Sequence, residues 1–82
     1  MYKVYILQSL KNGRYYTGYS EDVERRLEMH NAGLVKATQY QRPYRLVYSE
    51  SFESAVEARR REWQIKSWKS RVAIDRLIAA VG

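Results

Sequence analysis

Met1-Tyr-Lys-Val-Tyr-Ile-Leu7, followed by Asn12-Gly13 and then Tyr15-Tyr-Thr-Gly-Tyr19, reads as a strand, a turn and a second strand. Asn-Gly between two runs rich in Tyr, Val and Ile is the strongest short-range hairpin signal. Both residues accept the positive φ that a type I′ turn requires. With Asn12 and Gly13 as a two-residue loop, Ser9 is expected opposite Tyr16, Leu7 opposite Gly18 and Tyr5 opposite Ser20. Side chains alternate along a strand, so Tyr5, Leu7, Ser9, Tyr16 and Gly18 share one face. Two phenols and the gap left by a glycine line that face, and a loop changed by one residue would break the arrangement.

The next segment adds charge. From Ser20 to Asn31, Val23, Leu27 and His30 recur at helical spacing with Arg26 among them, which predicts a short helix carrying Arg26 and His30 toward the sheet. Ser20 is the expected N-cap, and Glu21 and Asp22 suit the positive end of the helix dipole. Gly33 stands where a C-terminal cap belongs.

Residues 34 to 43 show no period and are expected to form a long connection without structure of its own, a kind of loop more often functional than idle. Lys36, Thr38 and Arg42 within it are candidates to hold a phosphate backbone. Pro43 opens a third strand from Tyr44 to Ser51, rich in aromatic and β-branched residues. Ser51 or Ser54 then starts a long helix, a break falls between Ser67 and Ser70, and a last helix runs from Arg71 to Ala80. The expected fold is α+β: a small three-stranded antiparallel sheet flanked by helices, in the order β-β-α-β-α-α.

Composition narrows the function. An 82-residue chain is expected to be one domain, residues 1–82, with a single core. It has no cysteine, which removes disulfides and thiolate metal sites. No apolar run approaches the ~20 residues that span a bilayer, and the start lacks a signal-peptide pattern, so a cytoplasmic protein with no membrane partner is expected. Fifteen Lys and Arg against nine Asp and Glu give a net charge of +6, and ten of the fifteen are Arg. Eight Tyr and two Trp stand among these charges. Arginine favours bidentate contacts to phosphate, and the combination suits a nucleic-acid partner, whereas the plainer reading is a solvated, Glu-paired surface. Trp63 and Trp68 are read as core packing before base stacking.

Glu62 asks for a reason. With Ala55 at 0° on the helical wheel, Ala58 falls at about −60° and Glu62 at about −20°, so a carboxylate sits in the middle of a small-residue face. Burying it is costly unless it is paired or binds a metal. Lys66, four residues on, is the structural partner on offer and also a candidate phosphate contact.

These pieces together resemble the GIY-YIG nuclease superfamily. Lys3-Val4-Tyr5 stands for the first signature triplet and Tyr16-Thr17-Gly18 for the second; both tyrosines and the second glycine match, the first glycine and both isoleucines do not. Arg26 and His30 have the family's spacing, and Glu62 lies in an Ala58-Arg-Arg-Arg-Glu-Trp-Gln-Ile-Lys66 stretch similar to its metal-binding helix. The likeness runs from Tyr2 to Lys66 and is strongest to small standalone bacterial members and to the nuclease domain of junction resolvases. It implies an endonuclease using a single divalent cation, usually Mg2+. Glu62 would ligate the metal, Tyr5 would orient or deprotonate the attacking water, and Arg26 would brace the phosphate, with Tyr16 and His30 in support. Since a phenol titrates near ~10, a neighbouring cation, Arg26, the metal or a protonated His30, is expected to lower Tyr5. DNA is the expected substrate ahead of RNA, in a setting such as DNA repair, with room for a protein partner or homodimer. The alternative is a non-catalytic nucleic-acid-binding module on the same scaffold, accessory to a repair or ribosomal complex.

Overall fold

The computed structural model describes residues 1–81. Three strands, β1 (Tyr2–Ser9), β2 (Tyr15–Ser20) and β3 (Tyr44–Phe52), form one antiparallel sheet in the order β2-β1-β3. Helix α1 (Val23–Asn31) lies between β2 and β3 in the chain, and α2 (Ala55–Trp68) and α3 (Arg71–Val81) follow β3. The expected architecture and element order are therefore present. Among the described residues, no helix is long and apolar enough to cross a membrane.

The hairpin register differs from the sequence expectation by two residues. Tyr5 faces Gly18 and Leu7 faces Tyr16, where Ser20 and Gly18 were expected. The loop holds four residues because Ser9 captures it: its hydroxyl accepts from the amides of Lys11 (3.1 Å) and Asn12 (3.2 Å), and its carbonyl from Gly13 (2.9 Å). Asn12 turns its side chain onto the Arg14 amide at 3.0 Å. Local polar capture thus outcompetes the two-residue turn. A shift of two preserves the strand's alternation, so the shared face survives.

Strand β1 is the centre of the molecule, with Val4 to Leu7 buried without a gap. On one side Val4, Ile6 and Tyr48 meet Ala58 and Ile65 of α2, with Trp68, Ile74, Leu77 and Ile78 packed around them. On the other, Tyr5, Leu7 and Tyr44 meet Val23 of α1, with Tyr16 and Leu27 alongside. Residue parity alone would send Tyr44 and Tyr48 to the same side. A bulge prevents this: Ile6 pairs with Tyr48 but Leu7 with Leu46, so Val47 is the extra residue and Tyr44 turns to the α1 side. The weak alternation of this strand in the sequence has that cause.

The caps are partly as expected. Asp22, not Ser20, caps α1, accepting from the Arg25 amide at 3.0 Å; the Ser20 hydroxyl instead accepts from the Asp22 amide at 3.0 Å. Gly33, at φ +78, closes the other end, its amide donating to His30 and the next one to Met29. Ser54 caps α2 through the Glu57 amide, and Lys69 in the left-handed region separates α2 from α3.

Candidate active site

His30 is the hub of the α1 side. It comes from the last turn of α1, is fully buried, and has the rings of Tyr16, Tyr5 and Tyr44 at 4.9, 6.0 and 6.2 Å between centroids. Its Nε2 lies 3.1 Å from the Tyr5 phenol oxygen and its Nδ1 lies 2.7 Å from the Thr38 hydroxyl. The Thr38 hydroxyl donates to the Val35 carbonyl at 3.3 Å. With that proton committed, Thr38 accepts from Nδ1–H, which leaves Nε2 bare to accept from the Tyr5 O–H. One chain of donors runs from Tyr5 through His30 and Thr38 to the main chain.

Burial keeps this imidazole neutral. Its pKa is pushed down to about 4, first by desolvation and second by the Arg26 guanidinium. Burial likewise raises the Tyr5 phenol above its ordinary value, and a hydrogen bond from Arg26 pulls the other way without winning. The expectation that a protonated His30 could acidify Tyr5 is therefore corrected: near neutral pH His30 is an acceptor, not a cation.

Gly18 makes room for this arrangement. A Cβ there would stand 2.5 Å from the Tyr5 phenol oxygen and 2.7 Å from its ring carbon Cζ. The glycine of the second triplet is thus required by the tyrosine of the first, packed across from it on the neighbouring strand.

Arg26, one turn before His30, is half-buried, and its guanidinium meets the Met29 sulfur at 4.0 Å and bears on the Tyr5 phenol. Among the described residues it makes no ion pair. Glu62 approaches the same tyrosines from α2, and its charge is felt at Tyr5. Its side chain is 14% exposed and meets Lys66 Nζ at 3.7 Å, while that ammonium also sits 5.7 Å from the Tyr16 ring centroid. Tyr5, Tyr16, Arg26, His30, Glu62 and Lys66 are brought together by four different elements, β1, β2, α1 and α2.

The other expected phosphate contacts divide. Lys36 and Arg42 are exposed, but Thr38 is 1% exposed and its hydroxyl is spent on His30 and Val35. Thr38 belongs under the site, not on the surface that meets nucleic acid. The 34–43 connection is also more structured than expected. Two consecutive turns close at Thr38 and Gln41, and Gln41 is tied to the hairpin loop through Ser9 and Asn12.

Two features escaped the sequence reading. Tyr44 completes the ring cluster because Asn31 clamps its backbone, accepting from its amide at 2.6 Å and donating to its carbonyl at 3.1 Å. No local pattern announces that pairing. Trp63 is 73% exposed, correcting the expectation of core packing, which holds for Trp68 alone. Its position opposite Ala58 and Ile65 on the wheel was the available signal.

The donor set suits a hard divalent cation. Glu62 offers carboxylate oxygens whose charge reaches the Tyr5 phenol, and no group of three His, Cys, Asp or Glu is present among the described residues to make a closed cage. Magnesium keeps several waters and needs few protein oxygens. A depression of about 520 Å³ lies apart from these residues, lined by Asp22, Arg25 and Glu28 on the outside of α1. Within the tyrosine cluster Tyr16 is the partly exposed ring, while Tyr5, Tyr44 and His30 are buried.

A model of the GIY-YIG catalytic domain matches residues 1–75. The chain belongs to the GIY-YIG family. Its relatives are UPF0213 proteins, a small standalone group within that family. One from Halobacterium salinarum is 48% identical over 67 residues, covering 80% of this chain and 86% of the relative. Another from Staphylococcus saprophyticus is 44% identical over 66 residues, covering 79% of each. A solution NMR structure of a UPF0213 protein from Bacillus halodurans superposes with a TM-score of 0.60 at 40% identity, covering 98% of this chain and 85% of that one. GIY-YIG membership implies a nuclease-type function and a nucleic-acid substrate, and GIY-YIG nucleases generally use a divalent metal.

Proposed function

We propose that the protein is a metal-dependent endonuclease that hydrolyses phosphodiester bonds in DNA with little sequence specificity, its residues 1–82 acting as one nuclease domain. The observation that carries this reading is the buried Tyr5–His30–Thr38 hydrogen-bond chain, with Arg26 and Glu62 both acting on the Tyr5 phenol. Phosphodiester hydrolysis needs a proton acceptor for water and stabilisation of charge on the nonbridging oxygens, and these groups supply both.

Tyr5 orients the water and takes its proton while passing its own phenolic proton to His30 Nε2. Thr38 holds the imidazole with Nδ1 protonated, so Nε2 is the only acceptor offered. Arg26 braces the phosphate, and that pairing weakens one of the two influences that depress His30, making the imidazole a better base when substrate is in place. Glu62 would hold the metal, which supplies charge neutralisation and a more acidic water. Lys66, Lys36 and Arg42 steady the neighbouring backbone, while Tyr16 packs on His30 and keeps its plane. Contacts from this domain go to backbone or distorted structure.

The test is cleavage of labelled single-stranded, duplex and branched DNA and RNA with magnesium or chelator, comparing the wild type with Glu62→Ala. Magnesium-dependent cutting that is lost in Glu62→Ala while binding persists supports the proposal. Binding without cutting under any divalent ion would favour a non-catalytic nucleic-acid-binding module instead.

A further inference from the structure

The nuclease reading uses one edge of α2, and the adjoining face of the same helix has no partner. At about 100° per residue, Val56, Arg59, Arg60, Trp63, Lys66 and Ser67 fall within one arc with Trp63 near its middle. Trp63 is 73% exposed and Val56 66% exposed. Open depressions flank the indole on both sides: one of about 350 Å³ bounded by Val56, Arg59 and Arg60, the other of about 410 Å³ bounded by Lys66, Ser67 and Lys69. Among the described residues Arg59, Arg60 and Lys69 meet no carboxylate. Arg61, the third arginine of the run, behaves differently: it is drawn inward to Glu50 at 3.1 Å and lies 5.6 Å from the Trp68 ring centroid.

We infer that this face of α2 binds an unpaired base together with its flanking phosphates. Trp63 stacks on the base, and Arg59, Arg60 and Lys69 hold the backbone on either side. The occupant follows from charge and shape: a flat apolar ring set among cations, with no carboxylate on its arc except Glu62 at the edge. In a continuous duplex both faces of each base are covered by neighbours, so only an unstacked base can lie on the indole. Continuity with the active face comes from Lys66, which touches Glu62 at 3.7 Å and also borders the second depression. A strand crossing Glu62 therefore runs past Lys66 onto Trp63. Resting on the nuclease reading, the inference adds its substrate class: single-stranded, frayed or branched nucleic acid, with nothing on this face to distinguish ribose from deoxyribose.

Binding in chelator separates the two ideas, because it needs no cleavage. The full chain is titrated with labelled oligothymidine, oligouridine and a blunt duplex, as wild type, Trp63→Ala and Trp63→Phe. The inference predicts tighter binding of single strands than duplex, indole fluorescence quenched by oligothymidine, and a loss of roughly tenfold or more in Trp63→Ala that Trp63→Phe largely restores. Unchanged single-strand affinity in Trp63→Ala would overturn it, as would indole emission insensitive to oligothymidine in the wild type, which requires no variant to fold. A concentration-dependent dimer in sedimentation that Trp63→Ala disperses would overturn it too, since a second copy would then cover the ring. Single strands bound through Trp63 by a protein that cuts nothing would remove the nuclease reading and leave this one standing. Cleavage of every substrate with no contribution from Trp63 would do the reverse.

Discussion

The two sides of the sheet are built from alternate residues of the same central strand, yet they do different work. Val4 and Ile6 point to α2 and α3 and meet aliphatic and aromatic side chains; Tyr5 and Leu7 point to α1 and meet an imidazole, two more phenols and a guanidinium. On the first side the buried Tyr48 phenol is satisfied by Glu50, which Arg61 also meets. On the second the polar atoms form one connected chain, and every buried side-chain polar atom among the described residues has a hydrogen-bond partner. Burying His30 and Tyr5 costs desolvation, which is why one is held neutral at a depressed pKa and the other at a raised one. Apolar packing is concentrated on the α2 side, and the buried hydrogen-bonded imidazole on the α1 side.

The largest stability effect is expected where the aliphatic side is densest. Ile65→Ala should destabilise by about 2–5 kcal/mol in urea unfolding, because the fully buried side chain leaves a cavity between α2 and the sheet. Activity per folded molecule should stay near that of the wild type. A large loss of activity without loss of stability would mean that the two sides are not separable.

On the α1 side the corresponding signature is a pH dependence. The unfolded chain takes up the His30 proton below about pH 6.5, whereas the folded chain holds it off until about pH 4. Stability therefore falls as pH drops through that window, by on the order of 3 kcal/mol in all. Urea unfolding of wild type and His30→Gln between pH 7 and 5 should show the slope in the first and a flatter line in the second. Equal slopes would place the titration on another group.

The sequence made the fold legible because its punctuation is local: Pro43 before β3, Ser54 before α2 and Gly33 after α1 act within a few residues of themselves. The hairpin turn was misread for an equally local reason, since the Ser9 hydroxyl competes for the same amides as the Asn12-Gly13 turn. What could not be read depends on tertiary contacts. Thr38 looks like a polar loop residue until His30 is placed against it, and Tyr44 looks like any strand tyrosine until the Val47 bulge turns it. At the candidate site, ordered spacing pointed to Arg26, His30 and Glu62, but the direction of the proton chain needed the geometry of Val35 and Thr38.

Tyr5→Phe carries the smallest stability effect of the three and bears most directly on the central claim. It removes the phenol that donates to His30 and keeps the ring that packs over Gly18, so unfolding should shift by about 1–2 kcal/mol. Single-turnover cleavage with magnesium should nevertheless fall by roughly 10²–10⁴-fold, the range for losing a positioned acid–base group, while affinity for an uncleavable oligonucleotide is retained. Cleavage by Tyr5→Phe within a few-fold of the wild type would contradict the account and remove the Tyr5–His30 chain from the chemistry.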